Sequence, residues 1–340
     1  MQRELTRSSG IDLARSIAII SVLLLHSGVF YPGRFGVQLF FMISGYLLAD
    51  LSKISNRNFL IKRAFRLFPL YWVILVFFYQ NYFNSLYQVI ASAFLLQSIH
   101  WNLQATPGSW SISNEWIFSI AIVFLRNIKK WILVGLIVIS WMMQILSFIA
   151  TIYFFNTSNY VPDKADVIKV YINILNPIIN IAFFLIGVGI KRGFLTVLKQ
   201  KFTAFVVIII GMAISNHFGS GSIFVWPLIL WAVFSICLNC SPKSRIIRQI
   251  VEFIGKRTYG IFFIHFIVLV HVTTLKFIAT LPETYLIRNI AVFATTFLIS
   301  LGLSEVSWKL IELPSIKISI RVINSSFLKK SRKFLKSNKG

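Results

Sequence analysis

The chain returns repeatedly to unbroken apolar runs, and this recurrence dictates the solvent it can fold in. Runs that cross, or nearly cross, the hydrocarbon layer of a membrane lie at 11–31, 36–51, 63–80, 110–125 and 131–154. Five more lie at 171–190, 203–217, 223–240, 258–279 and 287–308. A helix needs roughly 20 apolar residues to cross, and shorter ones manage by thinning the bilayer or packing against neighbours. Of 340 residues, 57% are hydrophobic and 13% charged, where a soluble domain carries roughly 25% charged. One water-soluble core of this size cannot hide 33 Phe and 9 Trp. Lipid must solvate much of the surface. The expected fold is all-α: a polytopic integral membrane helical bundle of about ten transmembrane helices.

The net charge of +24 would suit nucleic acid if it formed one basic face. It falls instead in clusters between the apolar runs. Threaded through ten spans, 29 of the 34 Lys and Arg lie on one side and 5 on the other. Basic loops are retained in the cytoplasm, so both termini are expected there, and no nucleic-acid partner is expected. The chain divides into a transmembrane domain, 1–314, and a basic cytoplasmic tail, 315–340, expected to lie along anionic lipid or to be disordered, or to serve only as a topology and solubility device. The first apolar run lacks a small-residue cleavage site and is followed by further spans, unlike a cleavable signal. Two external segments exceed what a connector needs. One, 81–109, carries an apolar stretch from Val89 to Ile99 too short to span, expected as a re-entrant or interfacial helix or as a covering loop; the other, 155–169, reads as a wet loop. Cys237 and Cys240 make neither a disulfide framework nor a metal site by themselves. No Walker or dinucleotide glycine motif occurs.

Ionisable groups inside such spans are costly and are functional hypotheses by default. The first run carries Asp12 and Arg15 near its inner end and His26 toward its outer part. Eleven residues of helix put Arg15 and His26 roughly 16 Å apart on a similar face. An arginine at the cytosolic boundary can hold phosphate, and a deeper histidine suits proton transfer. The plainer alternative is an Asp12–Arg15 pair and a His26 that only hydrogen-bonds within the bundle. Arg63 and Arg66, three residues apart, share a helix face and can grip a polyphosphate, or simply anchor the inner boundary. Glu115, in Trp110-Ser111-Ile112-Ser113-Asn114-Glu115-Trp116, enters its span from outside and is expected near the depth of His26, where a carboxylate can orient an imidazole. His265 falls about midway through the 258–279 run. His26, Glu115 and His265 have no metal-ligand spacing, so no metal is assigned.

The same residues carry a family resemblance. The chain is similar to the membrane-bound acyltransferases of the acyltransferase-3 family, which O-acylate bacterial surface sugars and other exported substrates. Ile11 to His26 resembles the family's first helix, with a basic residue and a His ten residues between. Gly36-Val37-Gln38-Leu39-Phe40-Phe41-Met42-Ile43-Ser44-Gly45-Tyr46 resembles its second, with Gln38 where an acidic residue is common. Arg63-Ala64-Phe65-Arg66 resembles its arginine pair, and Trp110 to Trp116 its Trp-Ser-Leu-Ser-x-Glu-Trp segment, with Ile112 in place of Leu. Tyr259-Gly260 through His265-Phe266 and Glu312-Leu313-Pro314 resemble its last landmarks.

The resemblance implies an enzyme that uses a cytosolic acyl-CoA, usually acetyl-CoA, with no tightly bound cofactor. It implies His26 and Glu115 at the reaction centre and Arg15, Arg63 and Arg66 on the CoA side. The acceptor it implies is a sugar or polysaccharide hydroxyl, in a multi-pass protein of the bacterial inner membrane that works with membrane lipids and polysaccharide-biosynthesis partners. The alternative from another class is a transporter or flippase for a lipid-linked sugar or small anion, with the buried charges as its path.

Overall fold

Every regular element among the described residues is a helix, as expected of a chain whose backbone must pair within each segment. The computed structural model describes residues 9–30, 35–50, 54–82, 85–99, 108–157, 176–198, 200–218, 224–240, 242–275, 278, 280 and 285–337. The elements are α1 (Ser9–His26), α2 (Gly36–Leu48), α3 (Asn56–Tyr82), α4 (Leu86–Ala93), α5 (Ser109–Phe124) and α6 (Lys130–Thr157). Then come α7 (Pro177–Lys191), α8 (Lys201–Phe218), α9 (Trp226–Leu238), α10 (Arg245–Thr273) and α11 (Tyr285–Ser307). A π-helical turn, Trp308–Glu312, leads into α12 (Leu313–Ser337).

By length and composition, four stretches of helix suit a membrane crossing: Ser9–His26, Lys130–Ala150, Arg245–Thr273 and Leu286–Ser325. Gly36–Leu48, Pro177–Lys191, Phe202–His217 and Trp226–Leu238 are apolar but shorter. The surface agrees with a lipid solvent. Along α6, Val138, Ile139, Met142, Leu146 and Ile149 are all exposed, while Gln144 is fully buried and donates to the Ile179 carbonyl at 2.7 Å. Apolar side chains face out and polar ones in.

Small residues set the helix pairings, as they do where hydrophobicity cannot drive helices together. A Cβ added at Gly45 would strike the Phe184 carbonyl, and one at Gly187 the Met42 carbonyl. At one end of this pair Gln38 Nε2 donates to Asn180 Oδ1 at 3.1 Å, and at the other Arg192 Nε donates to the Ala49 carbonyl at 3.3 Å. Helices α2 and α7 therefore run parallel. So do α1 and α10: Gly255 abuts Asp12 at one end, and the His26 and His265 rings meet toward the other. Gly187→Ala is expected to lower the melting midpoint in detergent by a few degrees, because overpacking costs about 1–3 kcal/mol. Gly135→Ala, where a Cβ meets nothing, should leave the midpoint unchanged or raise it, since Ala favours helix over Gly.

One expectation is revised and two open ones are narrowed. The 258–279 run starts too late: α10 begins at Arg245. Residues 245–257 alternate Arg and Lys with Ile246, Ile247, Ile250, Val251 and Ile254, an amphipathic pattern that hydropathy alone misses. Second, the stretch from Val89 is part of one short helix, α4, capped by Ser85 accepting from Gln88 N–H, and turns follow from Phe94. Third, helix continues from the last apolar run through most of 315–340. The interruption is the π turn, where Pro314 has no N–H to return to the preceding turn. Of the two external segments, 83–84, 100–107 and 158–169 lie outside the described residues.

Candidate active site

A cavity of about 790 Å³, counting its open mouth, lies among α1, α2, α3, α5 and α10. It is lined by Arg15, Ser44, Arg63, Arg66, Glu115 and Tyr259, with apolar walls that include Phe40, Phe41 and Phe262. Four of the five residues singled out in the sequence thus face one space.

Arg63 and Glu115 form its polar wall. The Arg63 guanidinium pairs with Glu115 Oε1, and its Nε donates to Ser119 Oγ at 2.9 Å. Ser119 in turn donates to the Glu115 carbonyl at 2.6 Å, and Ser44 Oγ donates to Glu115 Oε1 at 2.7 Å. Helices α3 and α5 run antiparallel, with Arg126 at the end of α5 donating to Asn56 Oδ1 at the start of α3. That arrangement brings the eighth residue of one helix to the seventh of the other. Glu115 is therefore an Arg63 partner. Arg66, one turn on from Arg63, is exposed and lines the same space. Arg15 also lines it and sits 3.6 Å from the fully buried Asp12.

On the α10 side, Tyr259 Oη donates to the Leu67 carbonyl, close to the break that Pro69 makes in the α3 ladder. Next to Tyr259, Gly260 leaves room for Glu312 and Ser307. Glu312, in the π turn, is buried and accepts from Ser307 Oγ at 3.2 Å. A second ion pair joins Arg257 to Glu305 nearby.

His26 lies elsewhere, as the last residue of α1. Its ring is 5.3 Å from that of His265 and 4.8 Å from that of Phe266, centroid to centroid. His265 is fully buried. Phe262 links the two regions: it lines the arginine cavity, and its ring is 5.8 Å from His265 and 6.2 Å from Phe266. Gly108, just before α5, closes on the same rings. It has φ +72°, and a Cβ there would press on Phe266 and Phe262, so two separate constraints call for glycine.

The sequence reading singled out Arg15, Arg63, Arg66 and Glu115, and these share one chamber. It did not anticipate Ser44, Ser119 or Phe262. Nor did it place His265, rather than Glu115, against His26. Counting residues from Arg245 rather than from 258 moves His265 outward to the level of His26, and an amphipathic reading of 245–257 is the signal that allows it.

The fold is a helical membrane bundle, and its site gathers guanidinium, carboxylate and imidazole groups within apolar helices. The chain matches the acyltransferase domain of the acyltransferase-3 family over residues 8–305, and it belongs to that family. It is therefore a membrane acyltransferase. No curated protein and no solved structure matches it.

Proposed function

We propose that this acyltransferase moves an acetyl group from cytosolic acetyl-CoA to a hydroxyl of an extracytoplasmic or lipid-linked sugar, in the modification of bacterial surface polysaccharide. The protein would sit in the inner membrane, with α1, α2, α3 and α5–α11 as ten spans and both termini in the cytoplasm. The observation that carries this reading is the chamber that collects Arg15, Arg63, Arg66 and Glu115, with Phe262 on its wall and 5.8 Å from the ring of His265, the neighbour of His26. A thioester donor with a highly anionic head and a long, thin arm has the shape such an arrangement demands.

In this mechanism the CoA phosphates lie against Arg66 and Arg15, whose guanidinium groups bind phosphate oxygens in pairs. Arg63 stands behind them and is held in place by Glu115 and Ser119. The pantetheine arm passes Phe262 and brings the thioester to His26. The sugar hydroxyl attacks the thioester carbonyl while His26 takes its proton. The C–S bond then breaks, and the CoA thiolate recovers that proton from the imidazolium. An ester and a thiol result. The thioester itself supplies the driving force.

Vesicles that contain the purified protein, given labelled acetyl-CoA on one face and a surface glycan on the other, test the proposal. Label that becomes ester-linked to glycan, in step with CoA thiol release, is the expected result. Thiol release no faster than in protein-free vesicles would overturn it. Glycan movement with no dependence on acetyl-CoA would replace it with transport.

A further inference from the structure

The mechanism above uses one imidazole, and the fold supplies two. His265 is fully buried on α10, and its Nδ1 lies 3.3 Å from the Ile261 carbonyl one turn earlier. A carbonyl oxygen only accepts, so that contact puts the ring proton on Nδ1 and leaves Nε2 as a bare lone pair. Among the described residues, this Nε2 has no hydrogen-bond partner. Its surroundings are aromatic: Phe266 is 4.0 Å away and Phe262 5.8 Å, centroid to centroid. A buried acceptor with nothing to accept bears the full cost of its lost water. An apolar side chain of the same shape would avoid that cost, so the lone pair needs an occupant.

The occupant at hand is His26. Two imidazoles joined in line by an N–H···N bond of about 2.9 Å have centroids about 5 Å apart, and the observed separation is 5.3 Å with the planes tilted by 40°. His26 ends its helix and is exposed, so its ring has room to turn, while His265 is fully buried and holds the Ile261 carbonyl.

We infer that His265 is a positioning residue for the acyl transfer: its Nε2 accepts the N–H of the His26 ring. The inference rests on the acyl-transfer reading above. The bond fixes which His26 nitrogen faces the acceptor hydroxyl and keeps that nitrogen unprotonated until attack. When His26 takes the hydroxyl proton, the imidazolium keeps its bond to neutral His265. It then hands the proton to the departing CoA thiolate, and His265 ends each cycle unchanged.

Two substitutions separate this role from simple packing. In His265→Asn the side-chain amide reaches only the Nδ1 position, so the Ile261 contact is retained and the acceptor facing His26 is lost. In His265→Gln the amide reaches the Nε2 position and the acceptor is retained. Both are assayed in vesicles for kcat and for KM towards acetyl-CoA, beside a melting curve. The expected result is a kcat lowered about 10- to 100-fold in the Asn variant, an unchanged KM, and recovery of most of the loss in the Gln variant. Equal kcat in the Asn variant and the wild type would overturn the pairing and leave the acyl-transfer reading intact. Equal losses in both variants that follow their melting points would also overturn it, in favour of packing. A wild type that shows no acetyl-CoA-dependent transfer would overturn the acyl-transfer reading and this inference together.

Discussion

His26→Ala is expected to abolish acyl transfer while the protein still inserts and folds. The side chain ends α1 and is exposed, so truncation opens no cavity of the kind that costs several kcal/mol in a packed core. Its ring contacts are edge-on to Phe266 and tilted to His265, interactions worth about 0.5–1.5 kcal/mol each. Chemistry has more to lose. Without a base, the hydroxyl must attack with its proton in place, and a positioned base is worth about 10²–10⁴-fold. Ester-linked acetyl on surface glycan, measured against wild type at equal membrane abundance, reads the effect. A variant that retains more than about a tenth of wild-type incorporation would remove His26 from the mechanism.

Arg63→Ala is expected to be the most destabilising change at the site. Both partners of the Arg63–Glu115 pair are largely buried, with side chains 8% and 22% exposed. Removing the guanidinium leaves the Glu115 carboxylate with the Ser44 hydroxyl and only the more exposed Arg66 as a nearby cation, and a broken buried pair costs about 3–5 kcal/mol. The melting midpoint in detergent should fall by roughly 5–10 °C. Replacing both partners, as Arg63→Met with Glu115→Leu, should recover much of that loss, because two apolar groups leave no charge stranded. The double variant should still be inactive, since in the proposed mechanism Arg63 backs the arginines that would receive the CoA phosphates. Stability without activity would show that the pair is kept for binding and geometry rather than for the fold. A single variant as stable as wild type would mean that Glu115 has another cation within reach.

What could be read in advance follows a physical boundary. Apolar runs and basic clusters are local, and they forecast an all-helical membrane protein. The weight of Arg63 and of Glu115 could also be read, because a charge inside an apolar stretch stands out by itself. Their partnership could not. It depends on α3 and α5 lying antiparallel at one register, and nothing within either segment states that. Ser44 and Ser119 were hidden for another reason: serines are common in spans, and only the Arg63–Glu115 pair, whose carboxylate bonds Ser44 and whose guanidinium bonds Ser119, gives them meaning. The error at His265 came from equating a helix with its apolar portion. Ile246, Ile247, Ile250 and Ile254 continue the helix through charged ground, and that added length carries His265 up to His26.

Phe262 has an electrical consequence. A protein that admits a polyanion from one face of a membrane and a sugar from the other risks building a wire between them. Arginine, glutamate, serine, tyrosine and histidine side chains, joined by water, would form one. Such a wire would discharge the ion gradient on which the cell's energy supply runs. The benzyl ring of Phe262, on the chamber wall and 5.8 Å from the His265 ring, holds no exchangeable hydrogen and cannot relay a proton. In the proposed mechanism it would interrupt such a wire. In the same mechanism a donor arm passing this ring would fill the gap with methylene and amide groups and would keep the membrane sealed while the acyl group crosses.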